Sequence, residues 1–193
     1  METTTTSTCI VSLVRNGTVH IGGDSAGVSG LNIMVRKDVK VFNREDAAGN
    51  KWVFGFTTSF RMGQLIQYNL KLPKLKKNEK DLHAFMVREL IPALKKCLKE
   101  GQWEHRKEDR TSGGTFLVGV RGETFIIGDD YQVGQRHGDF MAVGCGAQVA
   151  LGAMFAAAKI NPKMPPVEFL TLGLEAATHF NGGVRPPYVF KHT

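Results

Sequence analysis

Residues Ser7 to Asp24 read STCIVSLVRNGTVHIGGD, two apolar runs at 10–14 and 18–22 separated by Arg15-Asn16-Gly17. Asn-Gly supplies the two positive backbone dihedrals that a tight type I′ turn requires, so the stretch predicts a β-hairpin. That hairpin starts beside a hydroxyl, Thr8, and ends on a carboxylate, Asp24. Thr8 is therefore either the first residue of an ordinary strand or a nucleophile set at a strand end.

Beyond the hairpin, strands are expected at about Ile33 to Phe42, Lys51 to Phe56, Thr115 to Val120, Thr124 to Gly128 and Phe140 to Val143. Arg121-Gly122 makes the turn between two of them. Ser59 to Leu70 and Lys80 to Lys99 read as helices. In the second, Leu82, Phe85, Met86, Leu90, Leu94 and Leu98 recur at spacings of three and four, which places them on one face. Pro92 is expected to bend that helix. A third helix, Gln148 to Lys159, is alanine-rich and apolar all round, as suits packing between layers. A fourth runs from about Pro166 to Thr178, and a last strand covers Pro187 to Phe190. The charged segment from Gly101 to Gly114 reads as a surface loop. The order is that of an α+β chain. Sheets apolar on both faces need covers on both sides, which favours stacked sheets between helix layers.

At 193 residues and 42% hydrophobic content the chain can bury one substantial core, and a single domain is expected. The formal charge of +7 does not by itself imply nucleic acid. Its lysines and arginines concentrate at 71–80 and 95–107, where Glu79, Asp81, Glu100, Glu104, Glu108 and Asp109 interleave with or flank them, the pattern of a solvated face. Cys9, Cys97 and Cys145 are odd in number and lack CxxC spacing, which argues against a disulfide framework and a structural zinc site. A reduced, cytoplasmic setting is expected. The start METTTTST has neither a basic nor an apolar signal region, and no stretch approaches the roughly 18 apolar residues of a membrane span.

Of the groups that could carry chemistry, the six histidines form no HExxH or other short ligand arrangement, so no metal or cofactor is expected. Gly144-Cys145-Gly146 follows a strand and precedes a helix, but it lacks the third glycine and the βαβ unit of a dinucleotide site. Asp129-Asp130 would point to opposite strand faces and fits a turn better than a catalytic pair. Lys40 is a lone lysine ahead of Val41-Phe42; at a semi-buried site its pKa would fall, whereas at a sheet edge its ammonium would reach solvent.

Taken together, Thr8, Asp24 sixteen residues on and Lys40 sixteen further, with Ile-Val two residues after the threonine and Val after the lysine, resemble the catalytic half of a proteasome β-type subunit. The likeness is greatest to the bacterial HslV-like peptidases among the N-terminal nucleophile (Ntn) hydrolases. Val53-Phe54-Gly55-Phe56-Thr57 resembles that family's strand ending in the oxyanion-hole glycine. Phe140 to Gly146 resembles its later strand and Gly-Ser-Gly turn, and Asn181-Gly182-Gly183 its C-terminal loop. The match covers 8–70 and 113–184, with the middle helix alike only in general plan.

The resemblance implies a four-layer αββα sandwich of two stacked antiparallel sheets between helix layers, with 1–7 as a candidate propeptide and 8–193 as the domain. It implies a self-processing threonine endopeptidase that hydrolyses unfolded polypeptides. Thr8 would be the nucleophile and its freed amine the base; Lys40 would favour deprotonation of the hydroxyl, and Asp24 would hold Lys40 in place. The Gly55 N–H would face the oxyanion, and Cys145 would stand where the family has a serine near the amine. Val53 would line the pocket for the residue before the cleaved bond, giving an apolar preference, while Val28 and Thr57 would flank the peptide. Thr178 and Asn181 stand where the family has an aspartate and a serine. Glu2 is too large for methionine removal to bare Thr8, so the chain would cut itself between Ser7, where the family commonly has glycine, and Thr8. Cys9, the rival nucleophile, is out of step with Asp24 and Lys40 and on a strand would face the other way. Identical subunits in stacked rings and a separate ATP-dependent unfoldase are the implied partners, with no nucleic acid or membrane. Two alternatives remain: an uncleaved, inactive ring scaffold or gate, and a small-molecule amidase using the same nucleophile.

Overall fold

Asn16 and Gly17 adopt φ of 53° and 72°, and their turn closes the opening hairpin with Ser12 opposite Ile21. The structure is a computed structural model that describes residues 8–103, 105–107 and 110–193, so the candidate propeptide lies outside the described residues. In chain order the first strands are β1 (Cys9–Arg15), β2 (Thr18–Gly23), β3 (Ala26–Ser29), β4 (Asn32–Val35), β5 (Val41–Glu45) and β6 (Lys51–Phe56). Helix α1 (Phe60–Tyr68) follows, then α2 (Leu82–Phe85), a π-helical turn at Met86–Leu90 and α3 (Ile91–Glu100). Next come β7 (His105–Lys107), β8 (Arg110–Ser112), β9 (Phe116–Val120), β10 (Glu123–Ile127), β11 (Val133–Gly134) and β12 (Phe140–Gly144). Helices α4 (Ala147–Ile160) and α5 (Pro166–Phe180) precede β13 (Val189–His192).

Two main sheets, β12-β1-β2-β13 and β11-β10-β9-β6-β5, are antiparallel throughout. Strand alternation sorts their side chains into three cores. Ile10, Ile21, Val41, Val53, Leu117 and Val143 pack between the sheets. Cys9, Val11 and Leu13, on the other face of β1, meet Met154, Phe169, Leu170 and Leu174 of α4 and α5. Trp52, Phe54 and Phe56, on the other face of β6, meet Met62, Leu65, Leu90 and Leu94 of the α1 and α2–α3 layer. The result is the αββα sandwich. Each buried leucine or phenylalanine contributes about 1.5–3 kcal/mol relative to exposure, which is why β1 and β6 are apolar on both faces.

The observed structure differs from the sequence reading in several places. The expected strand from Ile33 to Phe42 is broken: β4 ends at Val35, β5 starts at Val41, and the bend between them carries Lys40. Strand β3, which the sequence reading did not anticipate, pairs with β4 as a separate ribbon. The segment from Gly101 to Gly114 holds the short hairpin β7–β8. Pro92 lacks an N–H, and the helix accommodates it by the π-turn just before, where the Ile91 N–H reaches back to the Met86 carbonyl. Helix α4 lies in an outer layer, with Phe155 and Ile160 exposed, because it buries one face only, Ala147, Ala150, Met154 and Ala157.

Candidate active site

The register that places Ile10 opposite Gly23 brings Thr8, just ahead of β1, beside Asp24, just after β2. Two hydrogen bonds lock the junction: Cys9 N–H donates to Asp24 Oδ1 at 3.0 Å, and Asp24 N–H to the Cys9 carbonyl at 3.3 Å. Lys40 arrives from the other sheet, its carbonyl accepting the Phe56 N–H where β5 and β6 begin to pair. Its Nζ donates to Thr8 Oγ1 and to Asp24 Oδ1, both at 2.9 Å. The ion pair is almost completely buried, 1% exposed on Lys40 and 0% on Asp24.

Burial pushes the Lys40 ammonium below a lysine's ordinary value, and Asp24 acts against that shift. Asp24 is well satisfied, since Oδ2 also accepts the N–H of Ala26 at 2.9 Å and of Arg185 at 3.3 Å. A carboxylate held this way is a rigid anchor for the lysine.

The Gly144-Cys145-Gly146 turn closes the opposite side. Gly144 has φ of 100°, and a Cβ there would collide with the Thr8 carbonyl oxygen, so both its backbone angle and its space demand glycine. Cys145 Sγ accepts the Thr8 N–H at 3.3 Å and lies 3.2 Å from Asn181 Oδ1. Asn181 Nδ2 donates in turn to the Cys145 carbonyl at 3.1 Å. Thr178 is turned elsewhere, its hydroxyl 2.7 Å from the Tyr188 hydroxyl.

Cys9 is fully buried among the helix-facing residues, where desolvation pushes its thiol well above the ordinary value. Iodoacetamide on the native protein should therefore give a single adduct, mapping to half-buried Cys145. Labelling of Cys9 would contradict this placement.

Thr8 and Lys40 open onto a cleft of about 420 Å³, walled by β3, β4 and the segment from Phe56 to Phe60. Val28 and Thr57 are among the residues that line it. Val53 and Gly55 are not. Both side-chain directions run between the sheets, where Val53 is fully buried and a Cβ on Gly55 would lie 2.5 Å from Ile10 and 2.9 Å from Ile21. Gly55 is paired in the ladders to Val41 and Leu117, so it is neither the cleft wall nor its donor, and the apolar preference inferred from Val53 loses its basis.

The turn after β6 carries a residue that the sequence reading passed over. Thr58 has φ of 61°, unusual for a β-branched residue, and lines the cleft. Its hydroxyl accepts the Thr115 N–H at 3.2 Å and sits 3.2 Å from the Thr57 hydroxyl, bonds that hold the strained turn. Among the described residues its own N–H donates to no backbone carbonyl. The polar run Thr57-Thr58-Ser59 before a helix marks a turn in the sequence, but nothing in it encodes the left-handed angle.

Asp129 accepts hydrogen bonds from Ser112 and from the Gly114 N–H, which makes it a turn residue. His20 packs against His192, its partner across β2 and β13. No cluster of three or more His, Cys, Asp or Glu side chains suited to a metal occurs among the described residues. None of their helices is long and apolar enough to cross a membrane.

No protein-family model and no curated protein sequence matches the chain. Solved structures do. Thiobacillus denitrificans BPH in complex with epoxomicin aligns with a TM-score of 0.75 at 18% identity, covering 96% of this chain and 97% of that one. HslV from Trypanosoma brucei aligns at 0.65 and 17% identity, covering 95% and 98%. Anbu from Pseudomonas aeruginosa, described as a helical assembly, aligns at 0.63 and 13% identity, covering 96% and 80%. The chain thus has the proteasome-like fold of the Ntn hydrolases.

Proposed function

We propose that this chain is the self-processing threonine peptidase subunit of an assembly of identical copies. The observation that carries the reading is the buried Lys40, bonded at once to the Thr8 hydroxyl and to Asp24 at the floor of a cleft. A threonine hydroxyl is a poor nucleophile unless a base and a positive charge act on it. Cleavage between Ser7 and Thr8 would free an α-amine with an ordinary pKa of about 7.7–8.0, suited to take the hydroxyl proton near neutral pH.

In the reaction so proposed, Thr8 Oγ1 attacks the scissile carbonyl carbon while the amine accepts its proton and Lys40, as the cation, stabilises the developing alkoxide. The tetrahedral oxyanion takes the Thr58 N–H, a donor in the turn after β6 that meets no backbone carbonyl among the described residues. One such donor contributes about 2.7–4 kcal/mol. The amine returns its proton to the leaving nitrogen, and water then hydrolyses the ester on Thr8. Cys145 and Asn181 hold the amine in place. An extended peptide lies between β3 and the Thr57 segment, using main-chain bonds for affinity.

Two features support assembly of identical copies; stacked rings fed by an ATP-dependent unfoldase are what the family resemblance adds to that reading. Leu31, Ile33, Met34 and Val35 of the β3–β4 ribbon are exposed beside the cleft, as are Phe155 and Ile160 on α4, apolar surfaces suited to subunit contact. The Pseudomonas Anbu structure is itself an assembly.

The reading is tested by the intact mass of the purified protein and its hydrolysis of fluorogenic peptides across pH. A chain beginning at Thr8 is expected, with activity rising through about pH 8 as the amine loses its proton. Activity should fall again below lysine's ordinary pKa, because burial makes Lys40 lose its charge early. A chain retaining 1–7 that cleaves nothing would favour the scaffold reading. Epoxomicin, with which the Thiobacillus protein is in complex, is a further probe, and under this reading it should abolish the hydrolysis.

A further inference from the structure

The cleft wall carries one charged group that the proposed chemistry does not use. Besides Lys40, the charged side chain among its described lining residues is Arg36, and no carboxylate lines it. Lys40 is already matched by Asp24. Arg36 follows β4, and its N–H donates to the Ser25 carbonyl at 2.9 Å, which fixes the backbone beside the nucleophile's own junction.

The Arg36 side chain is held rather than free. Its Cδ lies against Gly27, where a Cβ would come within 2.8 Å, so the glycine gives the arginine room to cross β3. Its guanidinium lies 3.8 Å from the Phe60 ring centroid, and the Lys40 Nζ lies 5.6 Å from that same ring. Asp38 takes two bonds, from Nε at 2.8 Å and from Nη2 at 2.6 Å. A guanidinium has five N–H donors. Both hydrogens of Nη1 and the second of Nη2 are therefore left, an end-on fork with no protein acceptor among the described residues. Asp38 and Phe60 thus pre-order a planar fork whose remaining donors match a carboxylate bidentately.

We propose that Arg36 makes the cleft select peptides with an acidic side chain, glutamate or aspartate, at the residue that enters beside Thr8. The inference rests on the peptidase reading for its substrate class. It replaces the apolar preference that the sequence suggested through Val53, a residue now placed between the sheets.

The test uses fluorescein-labelled tripeptide amides that differ only in a final Glu, Leu or Lys, with binding read by anisotropy on the wild type and on Arg36→Gln. Matched fluorogenic peptides give turnover in parallel. The Glu peptide is expected to bind about tenfold more tightly than the Leu peptide, the Lys peptide most weakly, and the Glu-to-Leu ratio to fall to about one in Arg36→Gln. The Arg36 side chain is 32% exposed, so the variant should fold, which its melting temperature checks. Equal affinities in the wild type, or an unchanged ratio in the variant, would overturn the assignment. Acid-selective binding without turnover would retain Arg36 and sink the peptidase reading; turnover without acid selectivity would do the reverse.

Discussion

Thr8→Ala is expected to leave the chain uncut, with 1–7 retained, and to lower peptide hydrolysis by at least about 10³-fold, since it removes the proposed attacking oxygen from both self-cleavage and turnover. Thr8→Ser keeps an oxygen at that place and should process and cleave, though more slowly. The comparison separates chemistry from folding. Thr8 is 5% exposed, and its hydroxyl accepts one hydrogen from Lys40, so loss of the hydroxyl leaves Lys40 with Asp24 and the fold intact. Intact mass and kcat/KM are the readouts. Processing of Thr8→Ala at the same bond would mean that another protease makes the cut, and undiminished hydrolysis would remove Thr8 from the mechanism altogether.

The second large effect concerns the buried pair. Lys40→Met strips the cation from beside Thr8 Oγ1 and leaves Asp24, 0% exposed, without its counter-charge. Breaking one side of such a pair costs about 3–5 kcal/mol of stability. At roughly 2–4 °C per kcal/mol for a domain of this size, melting should drop by about 10 °C, and hydrolysis should be lost. The double variant Asp24→Asn, Lys40→Met has no stranded charge, so it should regain part of the lost stability, the remainder being lost because one oxygen that accepts backbone N–H groups becomes an NH2, yet remain inactive. Thermal melting and peptide turnover of the three proteins decide it. A double variant no more stable than Lys40→Met would show that the pair is not what holds this junction, and an active one would show that Lys40 is not part of the chemistry.

Much of this architecture was legible before any coordinates, for local physical reasons. Asn-Gly dictates the turn that aligns Thr8 with Asp24. The doubled apolar faces of β1 and β6 require neighbours on both sides. The three-and-four spacing from Leu82 to Leu98 marks a helix with one buried face. Hairpin length sets which strand ends meet and so pairs Thr8 with Asp24; Lys40 was added to them by the family resemblance, and the structure brings these three side chains together with Cys145.

Elsewhere local pattern was not enough. An alternating run such as Ile33 to Phe42 looks continuous in sequence, yet the chain leaves one ribbon at Val35 and enters another sheet at Val41. Gly55 and Val53 sit in a strand whose two faces are both apolar, so nothing local says which face is the cleft; a one-residue change in orientation separates the sheet interior from the helix layer. Helix α4 reads in the sequence as apolar all round, and its outer position shows only in the structure, where no further layer among the described residues covers Phe155 and Ile160.

By itself the sequence determined the hairpin and the two-sided strands, because these depend on turn chemistry and short-range periodicity, whereas Thr8, Asp24 and Lys40 stood out together only through their resemblance to a known family. Only the tertiary structure decided that Thr58 takes a left-handed turn whose N–H donates to no backbone carbonyl among the described residues, that Gly55 is packing rather than a donor, and that Arg36 lies over Phe60 with its end-on fork facing no acceptor among the described residues. Those outcomes are set by contacts between segments far apart in the chain, Thr58 with Thr115, Gly55 with Ile10 and Arg36 with Phe60, and no local spacing encodes them.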